Sequence, residues 1–314
     1  MRTAFINTLF ELARGDTRIT LVVGDLGFGV VTRFMERLPL QFVNAGVAEQ
    51  NMTSMAAGMA LSGKIVLTYS IANFPVMRCL EQIRNDVCYH RANVKIVAVG
   101  GGLSYGALGP SHHATEDIAV MRALPNMIVV APGDPIEAAL ATRAIVTHQG
   151  PCYLRLGRDQ EPVVHPSLDV DFRLGKAIAV REGSDLTLIA TGALLPTVVA
   201  VSDRLGEHGI SARVLSMHTV KPLDTDAVVK AGHETGTIFT VEEHSIVGGL
   251  GSAVAEVLLE AGIGQINFRR IGLRDGFSSQ VGDQDYLRAH YDLDADGILR
   301  TIDSALARAN ASIL

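Results

Sequence analysis

The sequence predicts an α/β protein of two halves, each a parallel or mixed sheet covered by helices. Three observations carry this expectation. Apolar, β-rich runs alternate with segments of helical period along the chain. Those runs lack the in-and-out alternation of half-exposed strands, so both their faces are expected to be covered. A polar, proline-containing stretch at residues 158–167 interrupts the alternation and reads as a linker. The 314 residues, 48% hydrophobic and 19% charged, suit two domains with real cores and exclude global disorder. The expected division is a first domain over 1–160, a linker over 161–172 and a second domain over 173–314.

Residues 1–16, with Arg2, Glu11 and Arg14, read as an amphipathic helix. They show no basic start followed by an unbroken apolar run, so no secretory signal is expected. Strands are expected near 19–23, 41–43, 65–69, 94–99, 127–130 and 152–154, with helices near 47–61, 76–89, 116–123 and 135–147. After Pro75, the residues Val76, Leu80, Ile83 and Val87 form one apolar stripe at helical spacing. Ser62 and Gly63 close the helix before it, with Gly63 where left-handed geometry is needed. Thr115 is the expected N-cap of the next helix, giving Glu116 and Asp117 a structural place in its first turn. In the second half, strands are expected near 186–190, 211–215, 237–241 and 266–271, and helices near 195–207 and 251–259. The uncharged run 186–202 carries Gly192 and Pro196 in its middle, so it reads as strand, turn and helix rather than a membrane span.

The net charge of −6 argues against nucleic acid or an anionic membrane as the main partner. Cys79, Cys88 and Cys152 have no CxxC spacing and leave an odd one over. Reduced thiols and a cytoplasmic setting are expected, with no metal ligands from this chain.

Two clusters could carry chemistry. In Phe42-Val-Asn-Ala-Gly-Val-Ala-Glu-Gln-Asn51, a strand runs into a helix whose first turn holds Glu49. The following residues, Met52 to Leu61, are almost all apolar or small, so this helix is expected to be buried all round. A carboxyl at its mouth would be partly desolvated and its pKa raised; the alternative is a surface acid complementing the helix dipole. The second cluster, residues 100–117, leaves the strand ending at Val99 at its carboxyl end, where open α/β sheets place ligands. Five glycines (Gly100, Gly101, Gly102, Gly106, Gly109) allow close backbone approach or a flexible loop. His112 and His113 have no structural task there. Gly24-Asp25-Leu26 with Asn51 lacks the second glycine of a Mg²⁺-diphosphate motif. Gly24, Gly27 and Gly29 do not make Gly-x-Gly-x-x-Gly, and no Walker or Gly-x-Ser-x-Gly motif occurs.

Together, Gly-Asp-Leu at 24–26, Asn-Ala-Gly-Val-Ala-Glu-Gln-Asn-Met at 44–52, Gly-Pro-Ser-His-His at 109–113 and Leu-Pro-Asn-Met-x-Val-Val-Ala-Pro-Gly-Asp at 124–134 resemble the C-terminal portion of transketolases. So do Ala-Thr-Gly-Ala at 190–193, Val-Lys-Pro-Leu-Asp at 220–224 and Val-Glu-Glu-His-Ser-Ile-Val-Gly-Gly-Leu-Gly-Ser at 241–252. The resemblance spans nearly the whole chain and implies a pyrimidine-binding domain followed by a transketolase C-terminal domain. 1-Deoxyxylulose-5-phosphate synthase and the β subunits of 2-oxo acid dehydrogenases share that layout.

The resemblance implies thiamine diphosphate as cofactor, with diphosphate and Mg²⁺ held by a separate N-terminal diphosphate-binding subunit. It implies an α₂β₂ assembly with self-association through this chain and active sites at the contacts. Glu49 matches the glutamate that activates the cofactor through the pyrimidine ring nitrogen, a task that a raised pKa would serve. His112 matches the histidine of Gly-Pro-Thr-His, beside the reacting carbonyl. His113, where Gln is usual, stands with it among the substrate-facing residues. Phe74 is the expected stacking ring for the aminopyrimidine, and Asp25 lines the cofactor pocket or the subunit contact. Arg158 keeps the position of a phosphate-binding arginine, whereas Arg155 matches no family contact. Three positions depart from the sugar-phosphate pattern: Leu108 stands for Asp, Gly100 for a phosphate-binding His and Gly29 for Ser. The implied activity is two-carbon ketol transfer between sugar-like substrates. The alternatives are the β subunit of a 2-oxo acid dehydrogenase feeding a lipoyl carrier, and a non-catalytic subunit that completes a complex. The second domain, with Glu242, Glu243 and His244, is assigned dimer contacts and closure of the architecture rather than chemistry.

Overall fold

The apolar runs become the strands of two sheets. The structure is a computed structural model that describes residues 1–158 and 160–311; residue 159 and residues 312–314, at the ends of the two expected domains, lie outside the described residues. The first half runs α1 (Arg2–Gly15), β1 (Ile19–Val23), α2 (Thr32–Arg37), β2 (Phe42–Asn44), α3 (Glu49–Leu61), β3 (Ile65–Ile71), α4 (Asn73–Val76), α5 (Leu80–Gln82), β4 (Val94–Val99), α6 (Asp117–Ala123), β5 (Ile128–Val130), α7 (Pro135–Thr147) and β6 (Cys152–Leu156). The second runs β7 (Ile178–Arg181), β8 (Leu186–Ala190), α8 (Leu195–Glu207), β9 (Ala212–Ser216), β10 (Thr219–Lys221), α9 (Thr225–Thr235), β11 (Thr237–Ser245), α10 (Leu250–Glu260), β12 (Asn267–Leu273), α11 (Gln284–His290) and α12 (Ala295–Ala311).

The first sheet has the order β10-β5-β6-β4-β3-β1-β2 and the second β12-β11-β8-β9-β7. All pairings are parallel except β10 with β5 and β7 with β9. Every residue of β1, β4, β6 and β8 is buried, as expected for strands covered on both faces. One face of the first sheet packs Phe5, Leu9, Ala138 and Ile145 from α1 and α7. The other packs Met52 and Ala56 from α3 with Val76, Ile83 and Val87.

The structure departs from the expected elements in several places. The helix expected over 76–89 is broken into α4, α5 and a π-helical segment, Ile83–Cys88. Its apolar stripe is still buried at Val76, Ile83 and Val87, because the stripe specifies a buried face and not an unbroken hydrogen-bond ladder. Thr115 does not cap α6; its hydroxyl donates to Glu116 Oε1 at 2.9 Å, and Glu116 takes the N-cap position without a side-chain bond. The short edge strand β7 and the helices α2, α9, α11 and α12 stand outside the expected set. So does β10, which the second half returns to the first sheet. Glu242, Glu243 and His244 turn inward and are buried within the chain. Glu242 accepts from the amides of Leu250 and Gly251 at 2.7 and 2.8 Å, satisfying donors at the start of α10.

Candidate active site

The carboxyl ends of β1, β3 and β4 place the candidate residues. β1 stops at Val23, and Gly24 passes so close to α3 that a Cβ there would lie 3.6 Å from Glu49 Cγ and 3.7 Å from Ser70 Oγ. Glu49 opens α3 and is only 2% exposed, so the buried alternative holds over the surface acid. Its Oε2 accepts from Arg78 Nη1 at 2.7 Å, while the Arg78 side chain is 47% exposed. No donor to Glu49 Oε1 stands among the described residues. Beside it, the buried Ser70 hydroxyl has no hydrogen-bond partner among the described residues.

Arg78 also lies against Phe74, its guanidinium carbon 4.9 Å from the ring centroid. Phe74, half-buried on α4, meets His112 edge-on with ring centroids 5.2 Å apart. His112 Nδ1 is 3.0 Å from Ser111 Oγ. Tyr105 continues the run: its ring centroid is 6.3 Å from that of His112 and 5.2 Å from the guanidinium carbon of the exposed Arg158. Burial pushes the Tyr105 hydroxyl pKa up. The structure therefore brings Glu49, Phe74, His112 and Arg158 into one chain of contacts, linked by Arg78 and Tyr105. Burial likewise pushes up the pKa of the Cys79 thiol, whose Sγ donates to Phe74 O at 3.4 Å.

Asp25 and His113 stand apart from that run. Asp25 has a left-handed φ of 55°, and its amide and Oδ1 both pair with the Asn44 side chain, at 3.1 and 2.9 Å. It is exposed at the loop after β1. His113 is buried, with Nε2 3.1 Å from Gly106 O inside its own loop. Asn73 Nδ2 donates to His113 O, tying that loop to α4.

The three-glycine run has a packing cause. A Cβ at Gly101 would lie 2.7 Å from Arg155 Nε, one at Gly102 would lie 2.6 Å from Glu243 Oε1, and one at Gly100 would overlap the Tyr105 ring. The ring of Tyr105 thus occupies the space a side chain at residue 100 would need. Arg155, which had no expected role, is buried and donates from Nε to Asp117 Oδ2 at 2.8 Å. Tyr153 donates to the same oxygen at 2.5 Å.

Comparison with known proteins finds two family domains. Residues 1–162 match the transketolase pyrimidine-binding domain and residues 175–298 the transketolase C-terminal domain. The chain belongs to the transketolase family. It is 43% identical over 301 residues to one of the subunits of the apulose-4-phosphate transketolase of Phocaeicola vulgatus, covering 96% of this chain and 95% of that one. It is 38% identical over 312 residues to the 6-deoxy-6-sulfo-D-fructose transketolase subunit SqwH of a Clostridium species, covering 99% and 95%. A solved structure described as a split-gene transketolase, an inactive β4 tetramer, superposes with a TM-score of 0.90 at 37% identity and covers 98% of both chains. The two transketolase domains and their α/β folds are those the sequence motifs implied.

Proposed function

We propose that this chain is the pyrimidine-side subunit of a two-subunit, thiamine diphosphate-dependent transketolase. It would move a two-carbon ketol unit between sugar or sugar-phosphate-like substrates in the cytoplasm. Its relatives named as transketolase subunits support the two-subunit reading. We place its domains at 1–160 and 173–314, joined by 161–172. The observation that carries the chemistry is the buried Glu49 carboxyl at the mouth of α3, with an aromatic face and a histidine in line with it.

These residues fit the pyrimidine half of the cofactor. Glu49 Oε1 is open to a ring nitrogen, Ser70 offers an unpartnered buried hydroxyl beside it, and Phe74 offers a ring face for stacking. When bound, thiamine diphosphate supplies an acidic thiazolium carbon able to attack a ketose carbonyl. Glu49 would hold the proton it shares with the aminopyrimidine ring, and Arg78 fixes the carboxyl through its other oxygen. With Nδ1 on Ser111, His112 is left with Nε2 to donate toward developing oxyanion charge. Arg158 would anchor an anionic end of the substrate. His113 would shape the substrate side through its loop, and Asp25 would line the cofactor pocket or the subunit contact. Mg²⁺ and the diphosphate are assigned to an N-terminal diphosphate-binding partner in an α₂β₂ assembly, with this chain also contacting its own copy.

Steady-state ketol-transfer assays of the chain alone and with its partner test this. The pair is expected to turn over and the chain alone to be inactive. Glu49→Gln in the pair should lower kcat by about two to four orders of magnitude, the range for losing a proton-transfer group. Robust activity without a partner, or near-normal turnover of the variant, would overturn the reading.

A further inference from the structure

We propose that Glu243 is a positioning residue: reaching from the second sheet, it fixes the loop that carries His112 and so makes the C-terminal domain part of the active site's framework. This rests on the reading of His112 given above. The loop closes on itself, with Gly102 N donating to Ala114 O at 2.9 Å and Ala114 N donating to Gly102 O at 3.0 Å. Inside it, His113 Nε2 is bound to Gly106 O. At its base, Glu243 Oε1 accepts from Leu103 N at 2.6 Å.

Glu243 is itself held firmly. Its carboxylate accepts from Gln284 Nε2 at 2.8 Å and from Arg288 Nε at 2.7 Å, both on α11. Its main-chain oxygen accepts from Arg155 Nη2 at 2.9 Å, and the same guanidinium nitrogen donates to Ala114 O at 2.8 Å. One buried acid therefore ties together β11, α11, β6 and both ends of the loop. The next residues extend the seam: Ser245 N donates to Thr115 O at 2.7 Å, and Ala119 N to His244 Nε2 at 3.3 Å. Glycine is required at both contact points, since a Cβ at Gly106 would lie 2.6 Å from Gly282 O just as one at Gly102 would meet Glu243.

The physical consequence is local. A glycine-rich loop left to itself opens at low free energy. A buried carboxylate satisfied by two side chains and one loop amide resists that opening, because freeing the amide strands a charged acceptor away from water. Glu243 acts through Leu103 and Gly106 on the histidine loop without touching substrate or cofactor.

Native-state hydrogen exchange of the full chain tests the clamp, comparing wild type with Glu243→Gln and Gln284→Ala. Glu243→Gln should speed exchange of the amides of Leu103, Gly106 and Ala114 by about tenfold or more, with β1 and β3 unchanged. Gln284→Ala, a half-buried site that spares the carboxylate, should give a smaller rise at the same amides and decides the matter if Glu243→Gln does not fold. Unchanged loop exchange, or a rise equal in β1 and β3, would overturn the proposal. In the assembled pair, kcat should fall several-fold with the KM for thiamine diphosphate unchanged. Exchange needs neither partner nor turnover, so a failure of ketol transfer would refute the proposed function while leaving the clamp to be judged by exchange.

Discussion

Arg158 ends the run of side chains that begins at the buried Glu49 carboxyl. It is exposed, like Arg78, but has no ion pair to a carboxylate among the described residues, whereas Arg78 is paired with Glu49. An exposed guanidinium over a tyrosine ring keeps its hydrogen-bonding edge free for an anion. Arg158→Ala should raise the KM for anionic acceptors about tenfold, from loss of a charge-assisted bond, and leave neutral acceptors of the same length unaffected. Equal KM values for wild type and variant across matched phosphorylated and unphosphorylated acceptors would remove the anion site from Arg158. The burial of Glu49 is as expected but not for the expected reason. α3 is not buried all round, since Asn51, Ser54, Gly58 and Leu61 are exposed. Glu49 is buried because it falls on the face shared with Met52, Thr53 and Ala56. Arg78 is less legible in the sequence, since its partner carboxylate lies on a helix 29 residues earlier. Its one local signal is that it follows Phe74 by four residues, the spacing that puts two side chains on one helix face. Tyr105 is silent in sequence, because it gains meaning only where the fold lays its ring over Gly100.

At the scale of elements, α7 shows how much one capping residue holds. Asp134 is fully buried and accepts from Glu137 N at 2.7 Å as the N-cap, with Pro135 at the first helical position. Its second oxygen accepts from the amides of Val164 and His165, both at 2.9 Å, so the same carboxyl fastens the stretch that leaves the first sheet. Asp134→Ala loses the cap and strands buried amides, and should lower stability by about 2–4 kcal/mol in urea unfolding. A loss under ~1 kcal/mol would mean that water replaces these bonds. The Asp-Pro start makes α7 readable to its ends, as apolar runs do for β1, β4 and β8. What could not be read is non-local. β10 has three residues and is a strand only because β5 offers it an edge, and the break before the π-helical segment follows packing against α3 rather than any change in apolar period.

Across the whole molecule, the join between the two halves is polar and titratable, which makes its pH dependence a test of how it is packed. His218, between β9 and β10, stacks on Phe172 with ring centroids 3.9 Å apart, and its Nδ1 is 3.0 Å from Thr219 Oγ1. Its Nε2 is buried without a hydrogen-bond partner among the described residues. Burial pulls its pKa down from 6.5 to about 4, against the opposing pull of Glu137 and Asp224 and with the added repulsion of His165. Above pH 6.5 both folded and unfolded states carry this ring neutral, and its stabilising burial is complete. As pH falls from 6.5 to about 4, the unfolded chain takes up a proton that the folded chain refuses, so stability is lost over that window. His165 works in the opposite sense. Burial lowers its pKa, but the bond from Nε2 to Glu137 at 2.8 Å outweighs this, so its net pKa is raised and its contribution grows on acidification. The two histidines partly cancel in the wild type, and only a difference measurement separates them. Unfolding free energies at pH 7 and pH 5 should therefore fall further in wild type than in His218→Gln, by on the order of 2 kcal/mol. Parallel losses in the two proteins would show that the His218 ring already takes up its proton in the folded join.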